Sequence, residues 1–429
     1  MKKTKFLDYL IIIFLIIYMD VPFFMGDRLG QTIFLGVLLI IYFFRSIQSG
    51  IDKEFILILL LTFFIIGIQG YLWEFKLMTM FSYLGLVVLL PYLALKILGI
   101  RFLVLFSKVI YIISVYTFIL WAAQNLIPAF DSYLQNLSEE MFEFGFDEWP
   151  RSIIFYTVGG YNDWSYLEDY GIYRNSGVFH EPGAFAVFIG LAIAINVITD
   201  KKLIERKNVF LMIVLISTLS TAGIFALFIT VLLYYLTIRR RIRPAFSIIA
   251  TILVSVLFYS ITLSVNFLGD KVVTSYEEEA SRSLDEETSG RFFSARKAVL
   301  VLTRYPITGK GITSSVREDM AAEEDTGGYG FMSFFAQIGI IMSILFTIYF
   351  IKGVKRLSLY YSGYQYFWQV LFFGIAINLF SQRFIDDSIF MMIFYVGALQ
   401  KYSPKYFGWF QAEPVQRDSS IKYPQQRIN

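Results

Sequence analysis

Long apolar runs separated by short polar connections dominate the chain. A membrane-crossing helix needs about 20 mostly apolar residues. Segments meeting that pattern fall at 6–24, 30–44, 55–70, 81–97, 102–126, 183–199, 208–220, 222–238, 245–264, 330–351, 364–380 and 386–400. The second is short, and 208–220 runs almost directly into 222–238. Their junction, "STLSTAG", carries small and hydroxyl residues suited to a turn at or within a bilayer, where backbone groups still need partners. The basic start and apolar run that follows resemble a secretion signal, but no small-residue cleavage site follows, which predicts an uncleaved first span.

Lysine and arginine set the orientation. One set of short connections holds Lys2, Lys3 and Lys5, then Arg45 and Lys53, Lys96 and Arg101, Lys201 to Lys207, Arg239 to Arg243, and Lys352 to Arg356. The opposite short connections hold only Arg28, Lys76 and Arg383. This alternation predicts twelve spans with both termini cytoplasmic. Two long connections, 127–182 and 265–329, then fall outside. The first, rich in Trp, Tyr and Phe, is too aromatic for a disordered linker and is predicted to fold against the membrane surface. The second opens with acids and continues as "RFFSARKAVLVLTRYP", a short helix with Ser289 or Thr288 as its N-cap, followed by the glycine-rich "TGKGITSS". Residues 1–410 thus form one polytopic membrane domain, and 411–429 a polar cytoplasmic tail. The predicted class is an all-α integral membrane protein.

Composition narrows the chemistry. The chain is 57% hydrophobic and 17% charged, against about 25% charged in soluble domains. It has no cysteine and one histidine, which removes thiol chemistry and leaves too few ligands for a zinc site. A net charge of +3 gives no reason to expect nucleic acid. No P-loop, GxGxxG, HExxH or Asp-x-Asp pattern occurs, and the loop acid run Glu323 to Asp325 is a weak metal candidate.

Three clusters remain. In "YRNSGVFHEPGAFA" the single histidine, His180, precedes Glu181 and Pro182 at the start of a span, with Arg174 upstream. As ordinary structure these are an interfacial histidine, a capping acid favoured by the helix dipole and a loop arginine. As chemistry they are an acid and base pair facing a cavity, with Arg174 as an anion site. The second cluster is Arg291, Arg296, Lys297 and Arg304 on the short helix. Lys297 and Arg304, seven apart, share a face, and Arg291 lies well over 100° away. They read as a solvated basic face or as phosphate ligands, arginine being suited to bidentate contact. The third is Arg383 with Asp386 and Asp387, which membrane-edge polarity also explains. Asp20, Asp27 and Arg28 flank the first outer turn.

These residues resemble a known family. "YRNSGVFHEPGAFAVFIGLA" is similar to the Arg–Gly–Phe–Glu–Pro signature of Wzy-type O-antigen and capsular polysaccharide polymerases, within the O-antigen ligase superfamily. "SGRFFSARKAVLVLTRYPITGKGITSS" resembles that family's arginine-headed helix, and "STLSTAG" and "GGYGFMSFFAQIGIIMSI" resemble its hydroxyl-rich turn and following span. The resemblance implies a GT-C-like glycosyltransferase architecture in the bacterial inner membrane. It implies a metal-independent, cofactor-free reaction. A new repeat unit on undecaprenyl pyrophosphate attacks the anomeric carbon of a glycan on the same carrier, with inversion. Arg291 first, then Arg174 and Arg296, with Arg304 and Arg383 nearby, would hold the pyrophosphate, and Glu181 or His180 would act as base. Implied partners are the lipid-linked glycans, membrane lipids, and chain-length regulator and flippase proteins. Two rivals stay open. A ligase would use another acceptor, but the family's ligases carry a histidine near the start of the span after the last large loop, where this chain reads "TGGYGFMSFF". A twelve-span transporter would place its longest loop inside between spans six and seven, where only "DKKLIERKN" lies.

Overall fold

The structure is a computed structural model. It describes residues 6–21, 28–46, 50–74, 76–141, 166–167, 172–179, 181–239, 249, 252–254, 291–311, 330–363, 367–381 and 387–403. Those residues are almost entirely helical. In chain order they form α1 (Phe6–Asp20), α2 (Arg28–Ser46), α3 (Lys53–Leu72), α4 (Leu77–Tyr83), a π-helical turn (Leu84–Leu89), α5 (Leu90–Leu98), α6 (Phe102–Leu126) and α7 (Pro128–Met141). There follow α8 (Pro182–Asp200), α9 (Arg206–Ser217), α10 (Thr221–Leu233), α11 (Arg291–Arg304), α12 (Gly330–Ser362), α13 (Trp368–Ser381) and α14 (Ser388–Ala398). The strands β1 (Tyr166–Leu167) and β2 (Ile172–Tyr173) pair antiparallel, Tyr166 opposite Tyr173, ahead of α8.

Each predicted span except 245–264 coincides with one of these helices. Most of that segment, apart from 249 and 252–254, and the loop residues 142–165 and 265–290 and the tail from 404 lie outside the described residues, so Ser289 and Thr288 do too. Among the described residues, Lys53–Leu72, the continuous stretch Leu77–Leu126, Pro182–Asp200 and Gly330–Ser362 are long and apolar enough to cross a membrane. Shorter apolar helices accompany them at Phe6–Tyr18, Leu29–Arg45, Thr221–Thr237, Trp368–Ile377 and Ser388–Ala398. This is a multi-pass membrane protein.

The helices divide by what surrounds them. In α8, 94% of the apolar window is buried, against 17% in α3. A helix apolar on all sides and covered on all sides belongs at the centre of a bundle. Phe185, Phe188, Ile189 and Ile193 of α8 pack there with Phe106 of α6 and Leu371 and Ile375 of α13. By contrast, α3 exposes Leu57, Leu60, Phe63 and Phe64, side chains that lipid accepts at no cost. The closest helix crossing joins α12 to α14. Gly353 and Gly397 face each other there, and a β-carbon on Gly397 would lie 2.6 Å from the Gly353 nitrogen. Small residues let two helices meet backbone to backbone in this way.

At one end of the bundle the basic connections gather into ionic knots. Arg45 and Arg101 both reach buried Asp8, at 3.2 and 3.6 Å. Asp52 at the head of α3 takes Lys96 from the end of α5 at 3.2 Å and Lys401 from beyond α14 at 3.0 Å. The Tyr92 hydroxyl donates to the same carboxylate at 2.9 Å. Burial alone would raise the Asp52 carboxyl, but the two ammonium groups and the hydrogen bonds outweigh it and hold it below its usual value. Lys401 is pulled down to about 8, chiefly by burial, with Asp52 opposing and Lys96 assisting.

Candidate active site

The opposite ends of α3, α6, α8, α9 and α12 carry the residues singled out by sequence. The stretch before α8 is fastened on two sides. From α6, the Trp121 indole donates to the Tyr173 carbonyl at 2.8 Å, and the Tyr173 amide donates to the Asn125 side chain at 2.7 Å. From the α9–α10 junction come three more bonds. The Arg174 Nε donates to the Thr218 carbonyl at 3.0 Å, the Asn175 amide donates to the Ser217 carbonyl at 3.0 Å, and the Asn175 side chain donates to the Ser217 hydroxyl at 3.0 Å. Arg174 is buried, 8% exposed, so it is no ordinary loop arginine.

The junction itself is built from its hydroxyls. Leu219 takes φ +47°, a conformation that interrupts the helix. Thr218 accepts from the Ser220 amide at 3.2 Å, and Ser220 caps α10 by accepting from the Gly223 amide at 3.3 Å. Gly223 leaves room for Ala186 of α8, whose β-carbon would stand 2.7 Å from any β-carbon at 223. The "STLSTAG" and "YRNSGVFHEPGAFA" motifs, about 40 residues apart in sequence, are therefore one structural unit.

Glu181 is the N-cap residue of α8, with Pro182 in the first turn. Its backbone is extended (φ −147°, ψ 157°), yet its side chain makes no capping hydrogen bond. Its place at the N-terminus of α8 is still the one the helix dipole favours for an acid. His180 lies outside the described residues, as does Arg383. Nearby, Asp131 of α7 accepts from Gln124 at 3.3 Å, and its burial pushes its carboxyl up, with Gln124 opposing.

The second cluster divides by face. On α11, Lys297, Ala298 and Val301 are buried, and the latter two pack on Ala336 of α12 with Tyr305 and Met332 alongside. Arg296 and Arg304 are exposed. Lys297 and Arg304 are one heptad apart but differ in burial, Lys297 being buried and Arg304, the last residue of the helix, exposed. Arg291 is the first residue of α11, and its side chain lies outside the described part. Arg291, Arg296 and Arg304 share a helix, Arg174 is set against the α9–α10 junction, and no described contact joins the two groups.

The largest departure from the sequence reading is in α12, which is not one uniform helix. At Gly339 the backbone takes φ 78° and ψ 167°, a break. A break frees carbonyls and amides that must find partners where water is scarce. The turn after α11 supplies them. The Lys310 amide donates to the Ala336 carbonyl at 2.8 Å, the Gly311 amide to the Gln337 carbonyl at 3.1 Å, and the Ile340 amide to the Pro306 carbonyl at 2.7 Å. Ser343 donates to the Gly339 carbonyl at 2.6 Å. From α3, Gln69 donates to the Thr308 carbonyl at 2.5 Å and to the Gln337 carbonyl at 2.8 Å. Gly309 has φ +67° and touches the α12 backbone, so a β-carbon there would lie 2.6 Å from the Gly339 nitrogen. Lys310 is held buried in this docked turn. A residue-level signal existed, since an isolated glycine in a helical apolar run weakens the helix there by about 1 kcal/mol against alanine.

Among the described residues, no group of three or more His, Cys, Asp and Glu could hold a metal. No curated protein and no solved structure matches the chain. Residues 208–347, roughly a third of the chain, match the family model described as O-antigen ligase. The match takes in Arg291, Arg296 and Arg304, whereas Arg174, His180, Glu181 and Arg383 lie outside it. The helices α9, α10 and α11, with the broken part of α12, thus lie in the stretch similar to the O-antigen ligase family model, which is consistent with the superfamily resemblance carried by the motifs.

Proposed function

We propose that the protein is a polysaccharide polymerase of the bacterial cytoplasmic membrane. It joins oligosaccharide repeat units carried on undecaprenyl pyrophosphate, at the outer face, by glycosyl transfer on a twelve-span GT-C-like scaffold. The observation that carries this reading is the docking of the Arg174–Glu181 stretch onto the α9–α10 junction, which joins the polymerase-like motif to the matched O-antigen ligase domain. The acceptor hydroxyl attacks the anomeric carbon, the C–O bond to the pyrophosphate breaks, and the lipid pyrophosphate leaves with the electron pair. Arg291, with Arg174 and Arg296, neutralises the charge that develops on the leaving group. Glu181 or His180 takes the acceptor's proton, a contribution of about 10²–10⁴ in rate. Arg304 and Arg383 extend the basic surface along which the lipid-linked glycan lies.

The test is glycan chain length on a gel, in a strain lacking the native gene, with membrane protein levels checked. Arg291→Lys keeps the charge and loses the bidentate fork, so long chains should disappear. Glu181→Gln removes the base and keeps the shape, and chains should shorten. Normal chains from Arg291→Lys would remove that arginine from the role, and normal chains from Glu181→Gln would leave His180 as the base. Activity of the purified protein should survive EDTA, and loss reversed by Mg²⁺ would overturn the metal-free mechanism. The family description favours a second reading, transfer of a finished glycan to a different acceptor. The same gel separates the two, since a ligase defect leaves long chains on the carrier lipid and a polymerase defect leaves single repeat units.

A further inference from the structure

We propose that Gln69 is a positioning residue for this glycosyl transfer, acting as the clasp that holds the 306–311 turn in the break of α12. The inference rests on the reading above. Its structural basis is independent of any motif, because Gln69 sits in the apolar span α3, far outside the matched domain.

Gln69 is fully buried. Its amide nitrogen spends both hydrogens on carbonyls from two different elements, Thr308 in the turn and Gln337 beside the break. These partners are 239 and 268 residues away in sequence. Its side-chain oxygen makes no hydrogen bond among the described residues. What the position uses is therefore two donors at one point, not an amide as such. One turn on, Trp73 stands edge-to-face with Tyr305 at 4.8 Å, so α3 grips the end of α11 as well.

The turn is the exit of α11, the helix that carries Arg291, Arg296 and Arg304. A short helix packed through Ala298 and Val301 is free to roll unless an end is fixed. The clasp fixes that end against the first half of the broken helix, beside the break. A shift of about 1 Å in catalytic groups costs about 10² in rate. Gln69 can thus control the arginines without touching substrate.

The discriminating series separates donors from shape, using native lipid-linked repeat units extracted from cells lacking the polymerase. Gln69→Glu has the same size but presents a carboxylate to two carbonyl oxygens. Gln69→Leu removes both bonds. Gln69→Lys restores donors at similar reach. We expect kcat to fall at least tenfold for the Glu and Leu variants with KM changed less than threefold, and the Lys variant to stay within about threefold of the parent. In a double-mutant cycle, Gln69→Leu with Arg296→Lys should lose less than the product of the two single losses, because both act on one helix. Parental rates for Gln69→Glu and Gln69→Leu would overturn the clasp, as would multiplicative losses in the cycle. Failure of all three variants to accumulate in the membrane would assign Gln69 to stability alone and overturn it equally. If Arg291→Lys and Arg296→Lys are themselves silent, it is the arginine mechanism that fails.

Discussion

Gly339→Ala is the sharpest test of the broken helix. At φ 78° and ψ 167° the backbone occupies a region essentially restricted to glycine, which costs another residue about 1–3 kcal/mol. An added β-carbon would also lie 2.7 Å from the Ile307 carbonyl carbon and 2.9 Å from the Gly309 nitrogen, both backbone atoms that cannot swing aside. Overpacking of this kind adds about 1–3 kcal/mol. The strain therefore totals roughly 2–6 kcal/mol. What holds the turn in place is three backbone hydrogen bonds and the two from Gln69. At about 0.5–1.5 kcal/mol net for each bond, the docking is worth roughly 2.5–7.5 kcal/mol. The two quantities match, so alanine should release the turn in a large fraction of molecules and let α12 straighten. A Thr308→Cys reporter, clean because the chain has no cysteine, should become reactive to a membrane-impermeant maleimide at least tenfold faster in the Gly339→Ala background. Polymerisation should fall with it. Gly36→Ala, with nothing within 4 Å, is the matched control. Unchanged Thr308→Cys reactivity together with full polymerisation would refute the reasoning.

Three further outcomes are expected. Gly397→Ala should lower the thermal stability of detergent-purified protein by about 1–3 kcal/mol through the α12–α14 crossing, and a melting curve superimposable on that of Gly36→Ala would count against it. Lys401 titrates at about 8 when folded against 10.5 for its ordinary value, so the unfolded chain holds the extra proton between those limits and this group makes stability rise with pH across that window; Lys401→Met should flatten the rise, and a rise of parental size in the variant would exclude Lys401 as its source. A cysteine placed at Ser289 should label from the outer face of intact cells, and labelling only after the inner face is opened would sink the proposed orientation.

Much of the helical frame was legible because spanning segments must be apolar over a fixed length, and because basic connections cluster at one end. Arg45, Arg101 and Lys96 indeed meet there, on Asp8 and Asp52, joined by Lys401, which the charge count did not use. The partnership between "YRNSGVFHEPGAFA" and "STLSTAG" was legible only as two separate motifs. Its bonds run mainly to backbone carbonyls, and a carbonyl carries no residue identity for a sequence to display. The same holds for Gln69, whose two acceptors are main-chain oxygens. Lys297 and Arg304 show the limit of periodicity. Spacing gives the face of a helix, but how much of each side chain on that face is covered is a tertiary fact. Gly339 was visible as a glycine in an apolar run, yet the run was apolar enough to pass for an unbroken span.

The ionic knot at Asp52 has a consequence for how the protein is made. Asp52 and Lys401 are 349 residues apart. At a synthesis rate of about 5–20 residues per second, roughly 17 to 70 seconds separate their emergence. Throughout that interval the Asp52 carboxylate has Lys96 and Tyr92 but lacks its second ammonium. Tyr395 donates to the Val88 carbonyl at 2.9 Å across 307 residues, so the π-helical turn waits nearly as long for its buried partner. α14 thus closes onto α1, α3 and α5 long after they are made, and a chain stopped short of α14 leaves Asp52 and Lys96 without Lys401 at the end of an incomplete bundle.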